Sequence, residues 1–395
     1  MTTTKGVWDI QEVRDKALAG IWKAYDDSGD PFKMYVWGNN QYGVLGLNEG
    51  GTPGDRYSSP VQIPGTTWSR VAGGNQYNLA TKTDGTLWAW GRGGTANANN
   101  GVLGLGNNTH RSSPTQVPGT TWITPFADYS VSGCVKTDGT LWMWGYNEEG
   151  SLSQNNRQNY SSPRQVGSDT TWSQDKYAMD VSNMATYAIK TDGTLWSWGY
   201  NRNTGHAGHN NRVNYSSPVQ IGESTNWSSV GKSWSGCFAV NTDGELYSWG
   251  TNHSGSLGQN LAHNAKRSSP VQVPGTTWSL VRGYSTGSSL GFKNDGTLWA
   301  WGANNYGQLG QNNRTQYSSP VQIPGTTWSA NFSGGPTSSA AKTDGTLWTW
   351  GRADNGPLGQ NEAGSEHKSS PVQVPGTGWS MQSTGSSEKI ALHSA

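Results

Sequence analysis

Short apolar runs alternate with longer polar ones along the whole chain, and the runs repeat one another. In Leu87-Trp88-Ala89-Trp90 a period of two puts both tryptophans on one face of a strand and Leu87 with Ala89 on the other. Both faces are apolar, the pattern of a sheet packed between two neighbouring sheets. Asp84-Gly85, flanked by Ala80–Lys82 and Leu87–Trp90, predicts a tight hairpin, because glycine tolerates the positive φ of such a turn. A polar loop follows, then a Ser-Ser-Pro element, then a Pro-Gly pair that ends one strand and launches the next. Each unit therefore predicts four short strands.

The unit recurs. A Trp-Gly pair stands at Trp37, Trp90, Trp144, Trp198, Trp249, Trp301 and Trp350, at intervals of 53, 54, 54, 51, 52 and 49 residues (successive differences of those positions). Ser-Ser-Pro returns with Pro60, Pro114, Pro163, Pro218, Pro270, Pro320 and Pro371, and a closing tryptophan follows each, at Trp68, Trp122, Trp172, Trp227, Trp278, Trp328 and Trp379. This period suits one four-stranded propeller blade and is too long for most helical repeats. The position four before each hairpin Asp is small: Ala80, Cys134, Ala188, Ala239, Gly291 and Ala340. The strand that carries it is expected to lie nearest the axis, with Cys134 a packing substitute for alanine. The chain stops at Ala391-Leu392-His393-Ser394-Ala395, where other units have their Asp-Gly turn, and the first unit begins at Met34-Tyr35-Val36-Trp37. These ends are expected to pair in one composite blade, with Ala391 the seventh small residue, leaving no free sheet edge. The expected fold is all-β, a seven-bladed β-propeller over residues 32–395, preceded by a helical docking segment and linker over 1–31.

Composition sharpens this picture. Of 395 residues 55 are Gly and only 13% are charged, so the surface is turn-rich, polar and weakly charged. Such a chain would be short of core were it not for 22 Trp and 16 Tyr, which bury large apolar areas. A net charge of +1 supplies no field for nucleic acid or an acidic membrane surface, and no run is long enough to insert in a bilayer. Two cysteines, Cys134 and Cys237, make no disulfide framework, and Met1–Lys5 lacks a signal-peptide apolar region.

The run Asp-Gly-Thr-Leu-Trp-x-Trp-Gly-x-Asn-x-x-Gly-x-Leu-Gly resembles the regulator of chromosome condensation repeat, over roughly residues 32–395. The resemblance implies seven blades with a split blade at the closure, but not one function, since that fold carries exchange factors, photoreceptors and binding scaffolds. Nucleotide exchange with nucleosome binding finds little support: Met1–Asp30 is not a basic tail, and no large wedge-like insertion stands out. An ultraviolet photoreceptor finds little either, because 19 of the 22 tryptophans occupy the three repeat positions, leaving Trp8, Trp22 and Trp234, and the photoreceptor's Gly-Trp-Arg-His-Thr element is absent.

Outside the repeat, Gly6–Trp22 predicts an amphipathic helix with Ile10, Val13, Ala17 and Leu18 on one face, Asp9 as N-cap and Gly20 as stop. It either covers the propeller seam or docks the chain to a larger assembly through Val7, Trp8, Ile10, Val13, Leu18 and Trp22. Its opening is similar to those of structural proteins of marine bacteriophages. Asp26-Asp27-Ser28-Gly29-Asp30 lacks the ligand spacing of a calcium loop and is expected to be a linker.

Within one chain the repeats serve as their own comparison: the loops from Leu-Gly to Ser-Ser-Pro vary, and all seven are expected on one side of the ring. Each carries a cation, at Arg56, Arg111, Arg157, Arg212, Arg267, Arg314 and Lys368, and four carry Tyr57, Tyr160, Tyr215 and Tyr317. Such a ring either grips sugars, carboxylates or phosphates, or braces its own loops. His110, His206, His209, His253, His263 and His367 lie in the same loops without the spacing of a zinc site. No nucleophile elbow, phosphate loop or metalloprotease helix is present. The expected function is non-enzymatic and cofactor-free: a bacteriophage virion component, located in the virion, that docks to virion proteins and presents the propeller to a host-surface glycan or protein. The alternatives are a cytoplasmic interaction scaffold of the chromosome-condensation-regulator type and, third, a polysaccharide-active enzyme.

Overall fold

The Lys-Thr-Asp-Gly-Thr segments close their hairpins by local hydrogen bonding. Asp84 Oδ1 accepts from the Thr86 amide at 2.9 Å and from its hydroxyl at 2.6 Å, and the Trp88 indole donates to Thr86 Oγ1 at 2.9 Å. In the computed structural model, which describes residues 32–49, 55–94, 100–181, 185–202, 205–233, 236–284, 287–361, 366–384 and 388–394, these hairpins join the middle strands of four-stranded antiparallel blades. Blades are numbered here by their Trp-Gly pair, from blade 1 (Trp37) to blade 7 (Trp350). Blade 3 runs Trp122–Ala127, Val131–Lys136, Leu141–Gly145 and Tyr160–Gln165 in spatial order.

The strands that open on the closing tryptophans are innermost. Trp68–Gly73, Trp122–Ala127, Met179–Val181, Trp227–Ser233, Trp278–Gly283, Trp328–Ser333 and Trp379–Thr384 each lie against the next, and the last returns to the first. This corrects the expectation that the strand with the small residue is nearest the axis: it is second. The small residue answers to tryptophan rather than to the axis. A Cβ on Gly291 would sit 2.7 Å from the Trp278 ring and 3.1 Å from that of Trp301. Cys134 and Cys237 occupy the same buried layer, where burial pushes both thiols well above the usual range.

The Asn-x-x-Gly-x-Leu-Gly run ties each blade to the next. The buried tryptophan of each Trp-Gly pair donates to a carbonyl in the preceding blade's loop, at 2.7–3.0 Å in all seven cases. The loop is held for this by its own asparagine, as when Asn147 Oδ1 accepts from the Leu152 amide at 2.8 Å. A Cβ on Gly104, at φ +73°, would lie 2.9 Å from the Trp144 indole nitrogen, so the close approach requires glycine there.

The ring closes as expected. Glu388–Ser394 pairs with Phe32–Gly38 on one side and with the Trp379–Thr384 strand on the other, and Trp37 donates to the Pro357 carbonyl of blade 7. One local expectation fails: Pro64-Gly65 does not break the chain, and a single strand runs from Arg56 to Gly73, joining the outer edge of blade 1 to the inner edge of blade 2. Residues 1–31 lie outside the described residues, so the docking-helix positions Val7 to Trp22 have no structural account.

The closing strand carries a buried cation. Two positions before the small residue other blades have Asn78, Ser132, Thr186, Cys237, Ser289 and Ser338, whereas here stands Lys389. Its ammonium donates to the Thr337 carbonyl at 2.9 Å and to Ser339 Oγ at 3.2 Å in blade 7. Burial pushes the ammonium down to about 7, against the pull of neighbouring Glu388. Between about pH 7 and the usual lysine range the unfolded chain therefore binds more protons than the folded one, so stability rises with pH there. The expected slope is on the order of 1 kcal/mol per pH unit. Lys389→Met should flatten it, as read from urea midpoints between pH 7 and 10; an unchanged slope would refute the assignment.

Candidate functional site

The loops between third and outer strands emerge together at one end of the ring, but they do not present a uniform circle of arginine and tyrosine. Opposite the glycine of the Trp-Gly pair the ladder places Tyr57, Tyr160, Tyr215 and Tyr317 in four blades, and Arg111, Arg267 and Lys368 in the other three. Arg56 stands one position earlier, whereas Arg157, Arg212 and Arg314 precede their tyrosines by three. Loops of different length bring non-equivalent cations into apparent register.

The two groups also differ in what they touch. The tyrosines brace their loops: Tyr57 donates to Glu49 at 2.7 Å, and the hydroxyls of Tyr160, Tyr215 and Tyr317 accept from Asn156, Asn211 and Asn313 at 2.9, 2.8 and 3.1 Å. The Glu49 contact pushes the Tyr57 phenol up to about 12. By contrast Arg56, Arg157, Arg212 and Arg314 are exposed, and among the described residues their guanidinium groups have no hydrogen-bond or ion-pair partner. Arg111, Arg267 and Lys368 are half-buried at the strand ends.

The histidines are drawn into the loop framework. His110 Nδ1 accepts from the Gly93 amide at 2.9 Å, with its ring edge-on to Tyr42, and the Arg92 guanidinium lies over the Tyr42 ring at 5.0 Å. His367, Tyr306 and Arg352 repeat the arrangement in blade 7. Burial lowers the His110 and His209 imidazoles below the usual histidine range. Among the described residues no three His, Cys, Asp or Glu side chains converge as a metal site would require.

Sequence reasoning missed the axis altogether. Trp172 and Ala188 lie 16 positions apart (188 − 172), against 12 for Trp122 and Cys134 (134 − 122), so blade 4 has extra residues on its inner side. The extra segment turns into the centre of the ring. The Gln174 carbonyl accepts from Arg70 at 2.8 Å and from Thr124 at 2.6 Å, the Tyr177 carbonyl accepts from the Val230 amide at 2.9 Å, and the Tyr177 hydroxyl reaches the Ala330 carbonyl at 3.1 Å. One insert thus reaches blades on opposite sides of the ring. Beside it runs a chain of charge: Asp128 to Lys232 at 2.5 Å, Lys232 to Asp180 at 3.9 Å, and Asp180 to Arg282 at 3.1 Å. Burial raises the Asp128 carboxyl above its usual range despite Lys232. The axis is a packed ionic hub.

A family model described as the regulator of chromosome condensation (RCC1) repeat matches residues 33–81, 84–127, 138–176, 243–288, 295–341 and 344–387, more than half of the chain. The chain belongs to the RCC1 repeat family. Among relatives, the ultraviolet-B receptor UVR8 of Arabidopsis thaliana is 28% identical over 74% of this chain and 67% of its own length. The human E3 ubiquitin-protein ligase HERC2 is 28% identical over 70% of this chain, which spans only 6% of that protein. The yeast protein Prp20p, studied for its binding to Gsp1p and histones, superposes with a TM-score of 0.77 at 17% identity, over 99% of this chain and 96% of its own. That last likeness shows the fold.

The six matched RCC1 repeats leave out residues 177–242, which hold most of blade 4 and the first half of blade 5. That stretch contains Tyr177, Asp180 and Lys232 of the axial hub. Arg282, which with Asp128 completes the hub's charge chain, lies inside the matched repeat 243–288.

Proposed function

We propose that this RCC1-repeat propeller is a non-enzymatic protein-interaction scaffold that works among cellular proteins and engages its partner through the long-loop end. One observation carries the reading: at that end Arg56, Arg157, Arg212 and Arg314 are exposed and unengaged, while the neighbouring tyrosines and histidines are spent on holding loops. Exposed guanidinium groups on a rigid frame suit an acidic protein surface. The named relatives support the reading as a class, since a receptor, a segment of a ligase and a protein studied for protein binding share this repeat. Their individual partners are not carried over. The virion reading rests on residues 1–31, outside the described residues, and plant, human and yeast relatives favour the cellular alternative.

Affinity capture with the intact chain tests this, comparing wild type with Arg157→Glu/Arg212→Glu/Arg314→Glu. We expect the cross-linked partner to map to the long-loop end and to be lost at least tenfold in the triple variant, whose melting temperature stays within a few degrees because the replaced groups are exposed. A partner that binds the variant equally well overturns the assignment of the face.

A further inference from the structure

In five blades the lysine of Lys-Thr-Asp-Gly-Thr, or its Lys-Asn-Asp-Gly-Thr equivalent, is clamped between two aromatic rings of its own blade. Lys82, Lys136, Lys190, Lys293 and Lys342 hold their ammonium groups 4.0–5.1 Å from the ring centres of the closing tryptophan and of a second tryptophan on the third strand. The repeat thus shows five times what this corner of a blade accommodates: an ammonium on an aliphatic stem. In blade 1 the imidazole of His393 fills the place, 5.3 Å from Trp379 and 5.7 Å from Tyr35.

Blade 5 keeps the rings and lacks the cation. Trp227 and Tyr247 meet edge-on at 5.3 Å and 80°, but the lysine position is Asn241 and the following threonine position is Glu245. Relative to the other blades the corner has lost one positive charge and gained one negative. The carboxylate is fixed in place, with Glu245 Oε2 accepting from Asn241 Nδ2 at 2.8 Å and from the Tyr247 hydroxyl at 3.0 Å, while Asn226 holds Asp243 at 2.8 Å. The turn before Trp227 has no proline, and a Cβ on Gly222 would meet nothing within 4 Å. The turn before Trp172 is equally open, yet Trp172 lies under Lys190 and is 2% exposed, whereas Trp227, with no lysine over it, is 8% exposed, against 1–3% for the six equivalent tryptophans. A cavity of about 460 Å³ opens beside it, lined by Gln220, Gly222, Asn226, Trp227, Asn241 and Tyr247, with no lysine or arginine in its wall.

We propose that this corner of blade 5 is a recognition site for a lysine side chain supplied by a protein partner. Two aromatic walls at a right angle form a corner for a compact ammonium rather than a flat platform for a sugar ring or a guanidinium plane. Glu245 and Asp243 stand behind the wall, bonded to its Asn241, Tyr247 and Asn226, and favour positive charge there, while the wall amides offer acceptors to the N–H groups of an ammonium. His209 also lines the cavity, and burial holds its imidazole below the usual histidine range, which disfavours an opposing charge there. The site deepens the scaffold reading only in naming what the partner presents.

The test uses the full chain with 15N-labelled indoles, the Trp227 resonance being assigned through Trp227→Phe. N-acetyl-lysine methylamide should shift that resonance in a saturable way, and the norleucine analogue, which keeps the four-carbon stem and lacks the ammonium, should not. Asn241→Lys/Glu245→Thr, which writes the sequence of the five other cages into blade 5, should fold and should weaken the lysine probe at least tenfold. Equal shifts from the norleucine probe, saturation by glucose without a lysine response, or undiminished binding by the double variant would each overturn the proposal. Failure of the scaffold reading looks different: the lysine probe still binds, while the captured partner ignores the long-loop variant.

Discussion

Replacing Asp180 by alanine should destabilise the propeller by about 2–4 kcal/mol, toward the lower part of the range for breaking a buried ion pair. Asp180 is the carboxylate of the axial chain that faces two cations, Arg282 at 3.1 Å and Lys232 at 3.9 Å, and its Oδ2 also accepts from the Lys232 amide at 3.0 Å. All three side chains are 14–17% exposed, so little water compensates when one is removed. Lys232 keeps Asp128 and the Val181 carbonyl, which is why the full penalty is not expected. Arg282 keeps the Val230 carbonyl but loses its carboxylate. Asp180→Asn, which retains an oxygen for the Lys232 amide, should recover about 1 kcal/mol of the loss. The double replacement Asp180→Leu/Arg282→Met should cost less than Asp180→Ala alone, because it removes the stranded charge together with its partner. Urea unfolding of the four proteins decides the matter. If Asp180→Ala lies within about 0.5 kcal/mol of wild type, the hub is no more than a surface ion pair.

The contrast between the repeat and the hub explains how much of this molecule is legible in its sequence. Blade number, hairpin positions and the meeting of Phe32–Gly38 with Glu388–Ser394 are readable because tryptophan and glycine recur at matching places and a broken unit stands at each end. Alternation can say that Gly291 is crowded, but not by what: the rings of Trp278 and Trp301 are responsible, not the axis. Asp128, Asp180, Lys232 and Arg282 occur once each, so no repeat marks them; the long interval from Trp172 to Ala188 is the available signal. The seven loop cations mislead for the opposite reason, because similar sequence positions in loops of unequal length stand for different places on the ladder. The blade 5 cage needs both kinds of information: Asn241 and Glu245 are visible as departures from the repeat, but only the lysines clamped in the other blades say what the departure means.

Ending the chain before Glu388 should abolish the cooperative fold. The lost strand pairs with Phe32–Gly38 over seven positions and with the Trp379–Thr384 strand on its other edge, so its removal frees two sheet edges at once. It also uncovers apolar surface on both faces, since Ile390 and Leu392 pack with Met34, Val36, Trp68 and Trp90, whereas Ala391 packs with Trp37 and Trp379. Blade 1 would be split by a gap one strand wide, crossed by the Trp37 bond to Pro357, the Asn361 amide bond to the Ser58 carbonyl at 2.9 Å and the contact of the Trp379–Thr384 strand with Trp68–Gly73. A ring gains its stability from every interface at once, so one open seam weakens both neighbours, and bare edges recruit other chains. The expected result is an aggregating product, or one whose thermal transition is broadened and lowered by more than about 15 °C. A synthetic peptide of Glu388–Ser394 sequence, added in excess during refolding, should restore part of the transition by adding the missing strand in trans. A truncated chain that melts within about 5 °C of the intact one would show that the seam carries little of the fold. In that event the inner ring of strands and the hub at its centre, rather than the paired termini, would be what holds the blades in a circle.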